Sequence, residues 1–114
     1  PSLTFRQSDN VYSEKLSKSF GKLIINEFRK LKLPTHRVSS AVRGYLYRKG
    51  KKTLPAVLRY SKVPTSVLVE IANLNNKHDR RSLLKSKSRQ KIALAITNSV
   101  VVNFARTSGL VAKL

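Results

Sequence analysis

The sequence predicts an all-α protein, a small bundle of about five helices, and three observations predict it. Apolar residues between Leu16 and Leu31 recur at steps of three and four, the helical repeat. Pro34, Pro55 and Pro64 stand where helices would stop or start. The chain has 114 residues, 40% of them hydrophobic, enough for one modest core. Residues 1–10 show no sustained period and are expected to form an N-terminal arm, leaving 11–114 as one helical domain with a basic loop over 76–88.

The first helix carries Leu16, Phe20, Leu23, Ile24, Phe28 and Leu31 on one face. Asp9 or Asn10 can cap it, Glu14 suits its start, Lys30 and Lys32 suit its end, and Leu33-Pro34 closes it. Gly21 costs such a helix about 1 kcal/mol relative to alanine, which points to a close neighbouring backbone. Thr35 can cap a second helix bearing Val38, Ala41, Val42, Tyr45 and Leu46, with Gly50 as its C-terminal cap and Arg37, Ser40, Arg43, Gly44 and Tyr47 on the other side. Thr53 and Pro55 then open a short third helix through Leu54, Val57 and Leu58, which Ser61-Lys62-Val63-Pro64 ends. Thr65 or Ser66 can cap a fourth, with Val67, Leu68, Ile71 and Leu74 on its apolar face.

The last element has two readings. As one helix from about Ser88, it turns Ile92, Ala95, Ile96, Ser99, Val100 and Phe104 inward and ends at Gly109. As a hairpin, Ile92 to Ile96 pairs with Val100 to Phe104 across Thr97-Asn98-Ser99. Alanines favour the helix and three consecutive valines favour strands; the helix is preferred because no glycine occupies the turn.

Residues 53–74 carry a resemblance. A short helix, a tight turn and a second helix opening Thr65-Ser66 with Val67 and Leu68 behind it resemble the helix-turn-helix core of many transcription and ribosomal proteins. With a hairpin over 92–104 the resemblance extends to a winged helix. Lys62 holds the turn position often given to glycine, and no arginine or lysine falls between Thr65 and Lys77. The resemblance implies DNA binding, with Thr65, Ser66, Glu70 and Asn73 nearest the bases.

Charge points the same way. Twenty-four Lys+Arg against five Asp+Glu give a net charge of +19. A compact domain so charged repels itself, and a polyanion that releases counterions on binding relieves that repulsion. Nucleic acid is the expected partner, with DNA favoured over RNA; an anionic membrane surface is the main competitor and is not expected, because it would need a basic amphipathic helix with bulky apolar residues exposed. Arg48, Lys49, Lys51 and Lys52 crowd around Gly50, with Arg43, Arg59 and Lys62 nearby. Lys77, Arg80, Arg81, Lys85, Lys87, Arg89 and Lys91 supply seven cations in fifteen residues, against Asp79 alone. These fourteen are the expected phosphate contacts, and Tyr47 joins the candidate base contacts as a surface on which an unpaired base can stack.

Catalysis finds little support. Asp9, Glu14, Glu27, Glu70 and Asp79 are scattered without a spaced pair, and His36 and His78 lie far apart. The run from Gly44 to Thr53 falls short of a phosphate-binding loop: five residues separate the glycines, and Lys52 stands where the hydroxyl residue belongs. Neither an enzyme, nor a cofactor, nor a metal is expected. No cysteine is present and no charged-then-apolar leader opens the sequence, so an intracellular rather than secreted protein is expected.

Three functions compete: duplex DNA binding through 53–74, an RNA-binding ribosomal or viral packaging protein whose basic loops thread between phosphates, and a histone-like DNA-compacting protein. The order from Leu68 to Ile96 has a likeness to the second half of a core histone, which implies a homodimer or partner protein to cover the apolar face.

Overall fold

The computed structural model describes residues 7–36 and 41–109. These are mostly helical, with four helices and one two-stranded sheet rather than five helices: α1 (Gln7–Lys30), β1 (Leu46–Arg48), β2 (Lys51–Thr53), α2 (Ala56–Arg59), α3 (Lys77–Leu84) and α4 (Ser86–Thr107). The chain divides into two compact units, Pro1–Lys22 with Val42–Leu68, and Leu23–Ala41 with Val69–Leu114. None of the described helices is long and apolar enough to cross a membrane.

Helix α1 begins at Gln7, so residues 7–10 of the expected arm are helical, while 1–6 lie outside the described residues. Its end is a Schellman cap. The Leu33 N–H donates to Phe28 O at 2.9 Å and the Lys32 N–H to Arg29 O at 3.0 Å, with Lys32 left-handed at φ 55°. Lysine thus fills the place glycine usually takes, and Pro34 prevents further helix.

The expected second helix is the first correction. Arg37, Val38, Ser39 and Ser40 lie outside the described residues, but Leu46, Tyr47 and Arg48 form a strand rather than a helix. It pairs antiparallel with Lys51–Thr53 in the register Leu46 to Thr53, Tyr47 to Lys52 and Arg48 to Lys51. Lys49 (φ 50°) and Gly50 (φ 74°) make the turn. Positive φ at both central residues is the I′ geometry that suits twisted hairpins, so Gly50 serves a turn and not a helix cap.

In the first unit, Gly21 does have a close neighbour, though it is a side chain and not a backbone. A Cβ there would stand 3.0 Å from a Val42 methyl. Helix α2 has four residues, and Pro55 rather than Thr53 occupies its N-cap position. The helix expected over 65–74 is not formed. Ser66, expected as a cap, instead receives and gives tethers: its N–H donates to Ser17 Oγ at 3.0 Å, and its hydroxyl shares a 2.6 Å hydrogen bond with Ser61. Ser13 donates to Pro64 O at 2.7 Å, so two serines one turn apart on α1 hold 64–66. Side-chain bonds to backbone compete with helix formation, and β-branched Val67, Val69 and Ile71 oppose it further.

Asn76 starts the next helix instead. Its Oδ1 accepts from the N–H groups of His78 (2.8 Å) and Asp79 (3.2 Å), a side-chain N-cap that converts the expected basic loop 76–88 into α3 and the first turn of α4. Ile92 to Phe104 lie within α4, so the hairpin alternative is not formed there. Gly109, at φ 71°, follows its end as expected.

Among the described residues of the second unit, the buried positions are Ile24, Glu27 and Phe28 on α1 and Ala95 and Ser99 on α4. Both sets are spaced one turn apart, and Ser99 satisfies its hydroxyl internally by donating to Ala95 O at 2.7 Å. Glu27 accepts from Lys30 Nζ at 2.6 Å. Val100 and Phe104, expected inside, are exposed: they fall on the side of α4 away from Ala95 and Ser99.

Candidate nucleic-acid interface

Two cationic surfaces emerge, one in each unit. The first is the β1–β2 hairpin. Alternation along the strands places Leu46 and Thr53 at the half-buried root, with Arg48 and Lys51 on the same face at the tip. Arg48 and Lys51 are register partners, so two like charges stand opposite each other beside Lys49 in the turn. Like charges directly across an antiparallel pair destabilise it. All three are exposed, and none of their side chains has a hydrogen bond or ion pair among the described residues.

The other face of the hairpin carries Tyr47 and its partner Lys52. Lys52 Nζ lies 5.7 Å from the centre of the Tyr45 ring, a cation–π contact that puts Tyr45 on this face too. The Tyr45 hydroxyl donates to Glu14 Oε2 at 3.1 Å. That hydrogen bond, reinforced by the charge of Glu14, raises the pKa of the phenol and keeps it protonated. Arg59, at the end of α2, donates to Thr53 Oγ1 (3.2 Å) and Leu54 O (3.4 Å), so it braces the base of the hairpin. Arg43 and Lys62 are exposed in the same unit.

The second surface is the corner between α3 and α4, which a single residue, Lys85, separates. Two of its seven cations serve the backbone. Arg80 Nη1 donates to Leu74 O at 2.6 Å, and Arg89 Nη1 donates to Leu83 O (2.7 Å) and Leu84 O (2.9 Å), the free carbonyls at the end of α3. Lys77, Arg81, Lys85 and Lys87 are exposed and make no side-chain bond among the described residues, while Lys91 is half-buried. Asp79, the one acid of this stretch, accepts from the Asn73 N–H at 2.8 Å and so locks the approach to α3. Helix α4 starts with no side-chain cap and no acid in its first turn, where an anion rather than a cation would suit the helix end. Lys77, Arg80 and Arg81 also ring a hollow of about 440 Å³ floored by Leu74, Leu83 and Leu84.

The expected base contacts are dispersed. Ser66 is committed to its tethers, and Asn73 Oδ1 accepts from the Asn75 N–H at 3.0 Å in a local turn. Thr65 is half-buried and Glu70 exposed, both outside any helix. Tyr47 is exposed. Sequence reasoning missed the hairpin and the place of Tyr45 on it. The signal was there in the alternation Tyr45-Leu46-Tyr47 before a residue pair ending in glycine. Arg80 and Arg89 gave no such signal, because their roles depend on where a helix stops.

No family model, curated protein or solved structure matches the chain.

Proposed function

We propose that this protein binds nucleic acid without catalysis, holding phosphates on the tip of the β1–β2 hairpin and on the α3–α4 corner. The observation that carries the reading is the opposed pair Arg48 and Lys51 flanking Lys49, three exposed cations with no partner among the described residues. A fold gains nothing from placing like charges face to face. A phosphate between them turns that repulsion into attraction and releases counterions. The unpartnered Lys77, Arg81, Lys85 and Lys87 beside an uncapped helix start support it independently. The proposal rests on phosphate contacts rather than groove reading, since 65–74 carry no helix to enter a groove.

The test is fluorescence anisotropy with labelled oligonucleotides over a series of salt concentrations. Affinity is expected to fall linearly on a log–log plot. Replacing Arg48, Lys49 and Lys51 by glutamine is expected to reduce the slope by about 0.7–0.9 for each phosphate that is no longer neutralised. Absence of binding at low salt, or an unchanged slope in the triple variant, would sink it.

A further inference from the structure

The face of the hairpin opposite the Arg48–Lys51 pair carries a different chemistry, two tyrosines beside Lys52. Tyr47 is 69% exposed, its hydroxyl has no partner among the described residues, and Lys52 stands across from it. Tyr45, 40% exposed, is fixed at its hydroxyl by Glu14 and covered in part by Lys52. One ring is therefore immobilised and the other left open beside it. Leu46, between them in sequence, faces the half-buried root instead, so the tyrosines are not there to fill a core.

We infer that Tyr47, set beside Tyr45 and Lys52, is a stacking platform for an unpaired nucleobase, which makes the hairpin a reader of single-stranded nucleic acid. The inference rests on the nucleic-acid reading above and names the form of its ligand. A tyrosine ring offers a base its π-face without regard to sequence, and stacking of this kind is the usual sequence-tolerant contact to single strands. In a duplex the base faces are covered by their neighbours, so the ring has nothing to stack on. The turn places Arg48, Lys49 and Lys51 within four residues of Tyr47 along the hairpin, so base and phosphate of one strand meet the same short element. Lys52 adds a cation at the edge of the stack. The face chemistry is common to single-stranded DNA and RNA, and both are tested.

The chain contains no tryptophan, so Tyr47→Trp in the full chain introduces a single fluorescent reporter at the platform. It is titrated with oligothymidylate, oligouridylate, a duplex of equal length, and heparin, a polyanion without bases. Single strands are expected to quench the reporter, whereas heparin and the duplex are expected to bind with little quenching. Tyr47→Leu is expected to weaken single-strand binding by about tenfold, the scale of one missing stack, and to leave heparin binding unchanged; Tyr47→Phe restores it. Quenching by oligothymidylate alone or oligouridylate alone assigns the platform to DNA or RNA. Equal quenching by heparin or duplex, no quenching by bound single strands, or full affinity in Tyr47→Leu overturns the inference and leaves phosphate binding standing. Failure of every oligonucleotide to bind removes both readings together.

Discussion

Glu27 shows at the scale of one residue how a basic protein uses an acid. The hydrogen bond from Lys30 is the strongest influence on its carboxyl, and with the Lys30 charge and the Asn98 side chain it holds the group below the usual carboxylate range. Burial on α1 pushes the other way and is outweighed. A carboxyl with a depressed folded-state pKa stabilises the fold at pH values above its unfolded value. That stabilisation is lost as pH falls through the folded value, because the unfolded chain then binds the proton more readily. Acid unfolding followed by circular dichroism is therefore expected to show a limb below the ordinary carboxylate range that Glu27→Gln flattens. An acid limb identical in the variant would mean that the ion pair with Lys30 does not contribute to the fold.

The element whose existence depends most on its ends is α3. Eight residues are too few for a helix to persist on its own in water, so the caps decide whether it forms. Asn76 binds two N–H groups at one end, and Arg89, reaching back from α4, binds two carbonyls at the other. Asn76→Ala is expected to destabilise α3 by about 1 kcal/mol and Asn76→Asp to be tolerated, since aspartate caps as well as asparagine. Hydrogen exchange of the Arg80–Leu84 amides measures this directly. Unchanged protection in Asn76→Ala would show that packing against α4 alone holds the helix. Arg89 thus has two uses, as a cation and as a clamp, and its substitution is not a clean test of phosphate binding.

For the whole molecule, the net charge of +19 sets the balance between folding and binding. The free chain suffers self-repulsion that salt screens, whereas complex formation draws on counterion release that salt opposes. Raising ionic strength is thus expected to increase the Tm of the free protein while weakening its hold on an oligonucleotide over the same range. Calorimetry and anisotropy on matched buffers check the two trends. A Tm independent of salt would indicate that the cations do not oppose folding.

The sequence by itself determined α1, the helical majority and the cationic character, because a long 3.6-residue repeat and a large charge excess are readable without knowing what lies nearby, whereas 92–104 read as helix or hairpin until the structure placed them in α4. The expected phosphate contacts are exposed, apart from half-buried Lys91, because charged side chains stay in water wherever the backbone goes. Tertiary structure decided the rest. Whether Ser66 caps a helix or is drawn to Ser17, forty-nine positions away, is a competition between a local bond and a distant one. Whether Gly50 ends a helix or turns a hairpin depends on a partner strand, which gives Tyr47 its open face. Short segments have too little local preference to settle such contests, so their conformation follows from what they touch.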